Sequence, residues 1–249
     1  MATSAQTSPV GFSAKRVRDL AGRYFYFFMS LLVAAIVIYG FSHTVNPNLI
    51  EAHPPRPRLL WVHATLFSGW VAFFILQTSL VRTRNVSIHR TLGWFGAGLA
   101  AAMTVVGIAT AIVMRRFDMR FLPADVAGPA AFLMVPLFDI TGFTVFFWLA
   151  VRWRRKPELH RRLMLIATCV LTAAAWGRVP NPTFAYVWFY SGVDALILLG
   201  VLRDLIVMKR VHRVYWIALP VLVVAQVFVM RTLLSGAAWW ARIADGILR

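Results

Sequence analysis

The chain has 249 residues, 60% of them hydrophobic, with a mean hydropathy of +0.70 and a formal net charge of +17. Soluble domains hold about 45–50% apolar residues, so an ordinary water-soluble domain is excluded. The basic residues sit in short loops beside apolar runs, a pattern set by membrane insertion and anionic lipid, which excludes the one-sided basic face of a nucleic-acid binder.

The apolar residues are gathered in stretches of about twenty, the length that carries a helix across about 30 Å of hydrocarbon. They are apolar on every face. Strands of a membrane barrel would instead alternate in segments of about ten residues. The sequence therefore predicts an all-α, polytopic transmembrane bundle of about seven spans. A polar then basic segment (1–23) precedes the bundle (24–234), and a short interfacial tail (235–249) follows it. The first apolar run is too long for a signal-peptide core and reads as a signal anchor.

In chain order the spans are Tyr24–Val45, Leu59–Val81, Leu92–Met114, Pro129–Val151, Leu163–Gly177, Phe184–Leu202 and Val214–Leu234. The fifth is the shortest, bracketed by Arg162 and Arg178, which can reach both surfaces. Between the third and fourth, Arg115, Arg116, Asp118 and Arg120 alternate with apolar residues and predict an interfacial amphipathic helix. Trp239 and Trp240 in the tail read as interfacial anchors. With the N-terminus inside, 17 of the 26 Lys and Arg residues fall on inner segments. That bias predicts the N-terminus inside and the C-terminus outside a cell (inner) membrane, although Arg115, Arg116 and Arg120 run against it.

Two stretches resemble one another. From Gly69 the chain reads GWVAFFILQTSLVRTRNVSIHR, and from Gly142 it reads GFTVFFWLAVRWRRKPELHR. Each has Gly, then Phe-Phe at the fourth and fifth following positions, a basic inner turn, and His-Arg opening the next helix. Spans two-three and four-five would then be copies of one hairpin, as in many transporters and cofactor-binding bundles. Any two apolar hairpins with basic turns share part of this pattern.

Ionisable groups inside a bilayer are costly, so each is a functional candidate. His43 and His63 lie near the outer ends of spans one and two. Asp139 and Asp194 lie near the middle of spans four and six, and Arg178 closes span five. Together they could form an outer-to-central polar cluster, with Asp139, Asp194 and His63 as a proton-coupled transport site. His89 and His160 lie at the inner surface. Two histidine pairs at opposite depths, His89 with His160 and His43 with His63, would suit haem b or a metal ion, with Arg90, Arg161 and Arg162 placed for haem propionates. The plainer alternative for each imidazole is a helix cap, a headgroup contact or a hydrogen bond to a neighbouring helix. His53 and His212 read as solvated loop residues. Gln77, Gln226, Thr104 and Thr141 read as packing polars. The lone Cys169, mid-span, supplies no disulfide framework. No Walker loop, His-Glu-x-x-His, dinucleotide fingerprint or Cys-x-x-Cys is present, so chemistry belongs inside the bundle or at its rims and no catalytic residue is assigned.

The stretches HATLFSGWVAFFILQTSLVRTRNVSIHRTLGWFG and KPELHRRLMLIATCVLTAAAWGR resemble a group of uncharacterised bacterial multi-pass membrane proteins, of the kind classed by a domain of unknown function. The resemblance covers roughly His63 to Arg178 and marks His63, His89, His160 and Arg178. In outline the histidine arrangement is also similar to transmembrane ascorbate and ferric reductase cytochromes. It departs from them in placing His89 and His160 at helix starts. Three functions follow as expectations: a haem-binding or metal-binding redox protein or a factor that matures such proteins, a proton-coupled small-solute transporter, and a non-catalytic accessory subunit. The expected partners are the lipid bilayer and other membrane proteins, not nucleic acid.

Overall fold

A computed structural model describes residues 14–124, 128–180 and 189–249, and among these the regular structure is helical, with no strand. The main helices are α1 (Ala14–Ser42), α2 (Leu59–Arg82), α3 (Val86–Phe121), α4 (Met134–Arg152), α5 (Pro157–Leu171), α6 (Ala173–Trp176), α7 (Phe189–Met208), α8 (Arg213–Leu234) and α9 (Ala238–Leu248). Short helical turns at Asn46–Ile50 and Ala130–Leu133 punctuate the connections. The predicted segment 1–13 and the first residues of the sixth span (184–188) lie outside the described residues.

Among the described residues, five helical segments are long and apolar enough to cross a membrane: Lys15–Ser42, Leu59–Arg82, Val86–Phe121, Ala130–Arg152 and Arg213–Leu234. At 1.5 Å per residue, even the 22 residues of α8 reach about 33 Å, enough for the hydrocarbon layer. The other two predicted spans differ from these for identifiable reasons. The fifth is divided into α5 and α6 at Thr172, whose hydroxyl donates to the Cys169 carbonyl at 2.6 Å and competes with the helical ladder. The sixth, α7, carries Asp194, Arg203 and Asp204 within its 20 residues.

The outward surface is apolar. Ile38, Val105, Trp216 and Val224 are each about 70% exposed. In water that would be an aggregation liability; against acyl chains it is the expected finish. The interior is held by packing. Trp70 on α2 lies edge-on to Phe143 and Phe147 of α4, with ring centroids 5.2 and 5.5 Å apart. Between helices in lipid there is little hydrophobic driving force, so such close packing and interhelical hydrogen bonds carry association. Hydroxyl pairs add to it: Ser30 with Thr78 at 2.9 Å, joining α1 to α2, and Thr104 with Thr144 at 2.9 Å, joining α3 to α4.

Gly40 lets α1 approach the backbone of α6. A β-carbon there would collide with the backbone of Ala175. Gly40→Val is therefore expected to lower stability by about 1–3 kcal/mol. Gly69→Ala, at a position with open space around it, is expected to be neutral or to gain up to about 1 kcal/mol of helix propensity. Thermal unfolding of both variants in one detergent checks the contrast.

The two hairpins that resemble one another in sequence, α2–α3 and α4–α5, meet through equivalent positions. Trp70 follows Gly69 as Phe143 follows Gly142, and these are the rings in contact. Phe74 and Phe147, each five residues after its glycine, are both buried.

At the opposite end, α3 is longer than a membrane crossing requires. Its 36 residues span about 54 Å, so Arg115, Arg116, Asp118 and Arg120 continue the same helix and do not form a separate interfacial one. The extension is braced. Arg56 pairs with Asp118 at 2.6 Å and lies over the Phe117 ring, and Arg116 donates to the Ile247 carbonyl at 2.7 Å. The tail also docks: Trp240 Nε1–H donates to the Ala131 carbonyl at 2.7 Å, while Trp240 and Ala244 pack on Leu133. Trp240 is thus a structural anchor, whereas Trp239 remains exposed.

Candidate functional site

The basic segments assigned to the inner side gather at one end of the bundle. Arg82, closing α2, lies over the Tyr24 and Phe27 rings of α1 at 4.8 and 4.7 Å. Arg161 and Arg203 flank the Tyr26 ring at 5.4 and 5.6 Å, and Arg154 lies over Trp94 at 5.4 Å. Two arrangements occupy this end.

The first is the pair His89 and His160. They open α3 and α5, and their ring centroids stand 6.2 Å apart at an interplanar angle of 72°. Both are half-buried. His89 Nδ1 lies 2.7 Å from Gln77 Oε1, and His160 Nδ1 lies 2.9 Å from the Ala150 carbonyl. A carbonyl oxygen can only accept, so both Nδ1 atoms carry hydrogen. In the neutral ring that leaves each Nε2 with its lone pair, and no other partner is recorded for either Nε2 among the described residues. The repeat reappears here: Gln77 is eight residues after Gly69, and Ala150 is eight residues after Gly142. Each hairpin thus orients its own histidine from the same place, one through a side chain and one through the backbone.

Fixing Nδ1–H on an oxygen is how proteins orient a metal-ligating imidazole and raise its basicity. The spacing is also suitable. With a metal–nitrogen bond of about 2.0–2.1 Å and about 1 Å from ring centre to nitrogen, two imidazoles sharing one ion from opposite sides stand about 6 Å apart, centroid to centroid. Among the described residues no group of three or more His, Cys, Asp or Glu is arranged to hold a metal ion, so the arrangement is a two-ligand one.

The second arrangement is an ion network. Arg162, on α5, has no exposed surface. Its five N–H groups are all directed at acceptors. Nε and Nη2 bond Asp204 at 2.8 and 2.6 Å, Nη1 bonds the Glu158 carbonyl and carboxylate, each at 2.7 Å, and Nη2 also meets the Met208 sulfur at 3.2 Å. Asp204 is equally buried and takes a further bond from Arg203 Nη1 at 2.9 Å. This is fork-to-fork recognition, in which Arg matches a carboxylate with two parallel donors. Arg162 is therefore committed and unavailable to a haem propionate, contrary to the sequence expectation. Arg161 is engaged with Glu158.

His212 joins the edge of this network and is not the solvated loop residue expected. Its Nδ1 accepts from Val214 N–H at 3.2 Å, capping α8, and its backbone N–H reaches Asp204 at 3.3 Å. Partial burial, helped by the Arg162 charge, holds its imidazole below the usual range. A neutral ring is what an accepting Nδ1 requires. His53 is exposed, as expected.

Toward the other end, the predicted polar residues are found in separate pairs. Asp139 accepts from the Tyr190 hydroxyl at 3.1 Å, linking α4 to α7, and Asp194 accepts from Gln226 at 3.1 Å, linking α7 to α8. His63 stacks on Phe67 with centroids 4.0 Å apart, and its buried Nδ1 has no hydrogen-bond partner among the described residues. His43 is exposed, with Nδ1 2.8 Å from the Tyr39 carbonyl. Arg178 donates to the Ala174 carbonyl at 2.5 Å and lies over Phe41 at 4.4 Å. The structure thus brings together the inner histidines, whereas His63 rests on Phe67 of its own helix and His43, just past α1, on Tyr39.

The sequence places Gln77 among the packing polars and does not single out Asp204. Gln77 is a buried polar side chain one turn and a half from the end of an apolar helix, and its position in the repeat is the signal that could have singled it out. Asp204 follows Arg203 at the inner end of α7, where a lone carboxylate among cations asks for a partner. In comparisons with known proteins, no family model, curated sequence or solved structure matches the chain.

Proposed function

We propose that the protein binds haem b or a metal ion between His89 and His160 and serves electron transfer at the cell (inner) membrane, or the maturation of proteins that perform it. The observation that carries this reading is the inner pair itself: two imidazoles from equivalent hairpins, 6.2 Å apart, each with Nδ1–H fixed on an oxygen. A purely structural histidine needs only one satisfied nitrogen. Two such imidazoles at equivalent places in the two hairpins, 6.2 Å apart with Nε2 left over on each, are better accounted for by a shared ligand. The chain crosses the membrane seven times, with α5–α6 and α7 as the fifth and sixth crossings and the N-terminus inside. The gathering of Arg82, Arg161 and Arg203 with the α1 aromatics, and of Arg154 with Trp94 of α3, supports that sidedness.

The test is an absorption spectrum of detergent-purified protein, oxidised and then dithionite-reduced, with metal analysis on the same sample. The expected result is a Soret band with sharp reduced α-bands, or one metal ion per chain. Either is expected to disappear in His89→Ala and in His160→Ala but to persist in His43→Ala. A folded, colourless and metal-free preparation would overturn the reading and move attention to Asp139 and Asp194 as a transport site.

A further inference from the structure

The face between α1 and α7 carries a groove whose described lining comes from these two helices alone. Its walls are Phe25, Phe28 and Met29 from α1 and Leu199, Leu202 and Ile206 from α7, and Arg203 stands within it. On α1 the groove residues Ala21, Phe25, Phe28 and Leu32 recur every three or four positions, so they share one stripe of the helix. One turn further toward the basic end that stripe reaches Arg18. On the other wall, the chain leaving α7 turns through Lys209, at a positive φ of 54°, and Arg210. The apolar groove therefore opens between Arg18 on one side and Lys209 and Arg210 on the other, all three exposed.

Arg203 gives the groove its second feature. It is 4% exposed, its Nη1 is bound to Asp204, and its Nε has no hydrogen-bond partner among the described residues. The two acids of the adjoining network, Glu158 and Asp204, face three guanidinium groups, those of Arg161, Arg162 and Arg203. One positive charge is left over, beside the groove that Arg203 lines.

We infer that this groove is a binding site for one anionic phospholipid of the inner leaflet, with an acyl chain along α1 and α7 and its phosphate among Arg18, Lys209 and Arg210, beside the surplus charge at Arg203. Any acyl chain can fill an apolar groove facing lipid, so occupancy alone carries no selectivity. Selectivity comes from the cations at the mouth, each of which favours an anionic headgroup. A neutral zwitterionic lipid leaves the surplus charge unanswered, and a free phosphate leaves the groove empty. The site is independent of the histidine pair and stands whether or not that pair holds a cofactor.

The experiment uses full-length protein, delipidated in a mild detergent, with thermal stability followed as lipid is titrated. The probes are phosphatidylglycerol, phosphatidylcholine with matched chains, and inorganic phosphate. Phosphatidylglycerol is expected to raise the unfolding temperature saturably, at concentrations about tenfold or more below those needed for phosphatidylcholine, and phosphate alone to have little effect. The triple variant Arg18→Gln, Lys209→Gln, Arg210→Gln removes only exposed charges and is expected to erase that preference while keeping its lipid-free unfolding temperature. Ala21→Trp, which fills the groove without altering charge, is expected to weaken the response to phosphatidylglycerol. Equal responses to the two lipids, an equal response to phosphate, or an unchanged preference in the triple variant would each overturn the assignment.

Discussion

Asp204→Leu is expected to destabilise the protein by about 3–5 kcal/mol, the cost of leaving a buried charge without its partner. Asp204 receives two bonds from Arg162 and one from Arg203, and neither Arg162 nor Asp204 has exposed surface. Removing the carboxylate strands the Arg162 guanidinium between α5 and α7, where only Glu158 still answers it. It also loosens the α7–α8 turn, because the His212 backbone N–H loses its acceptor. The companion Arg162→Met, Asp204→Leu removes both charges together and is expected to recover most of the loss, since replacing a buried ion pair by apolar residues of similar volume is often neutral. Arg203 then lies close enough to the basic end to reach headgroups by snorkelling. Unfolding by graded denaturing detergent, read by circular dichroism, checks the series. A single variant within about 1 kcal/mol of the parent would show that solvent reaches the pair, since exposed ion pairs contribute no more than that.

The second large effect concerns the orienting residue rather than the ligands. Gln77→Leu is expected to weaken cofactor or metal binding by about 10–100-fold, the usual consequence of losing the group that holds a ligating imidazole. The side chain is 9% exposed, and its Oε1 accepts from His89 at 2.7 Å. Leucine fills much the same volume but leaves Nδ1–H without an acceptor and the ring free to rotate. Gln77→Glu retains an acceptor and is expected to restore binding. Titration of cofactor-free protein, followed by absorption, separates the two variants. Equal affinity for parent and Gln77→Leu would mean that His89 is held by its packing alone. No corresponding side-chain substitution exists for His160, whose acceptor is a main-chain carbonyl.

Much of the architecture could be read from the chain because hydropathy reports directly on lipid contact. Five of the predicted spans coincide with segments long and apolar enough to cross, and the hairpin turns fall where Arg82–Arg84 and Trp153–Lys156 interrupt the apolar runs. The inner histidines were legible as a pair because both open a helix after a basic turn, which fixes their depth. What could not be read was lateral arrangement. Depth gives no azimuth, so His43 with His63 and Asp139 with Asp194 looked as eligible as the pair that meets. Arg162 was misjudged for the same reason: nothing local shows that Asp204, 42 residues away, will face it. The Arg115–Arg120 stretch misled because an amphipathic pattern is shared by a surface helix and by a helix extending past the membrane; only the packing of α9 and Arg56 decides between them.

That brace has a consequence for the order of events in assembly. Its ties join residues far apart in the chain, Arg116 to Ile247 across 131 positions and Trp240 to Ala131 across 109. A ribosome releases α3 long before α9 exists, and domains made in order settle from the N-terminal side. Asp118 has its Arg56 partner early, but Arg116 must wait for its Ile247 acceptor until α9 is made. Closure of this end therefore comes after the preceding spans are made, and α9 acts as its latch.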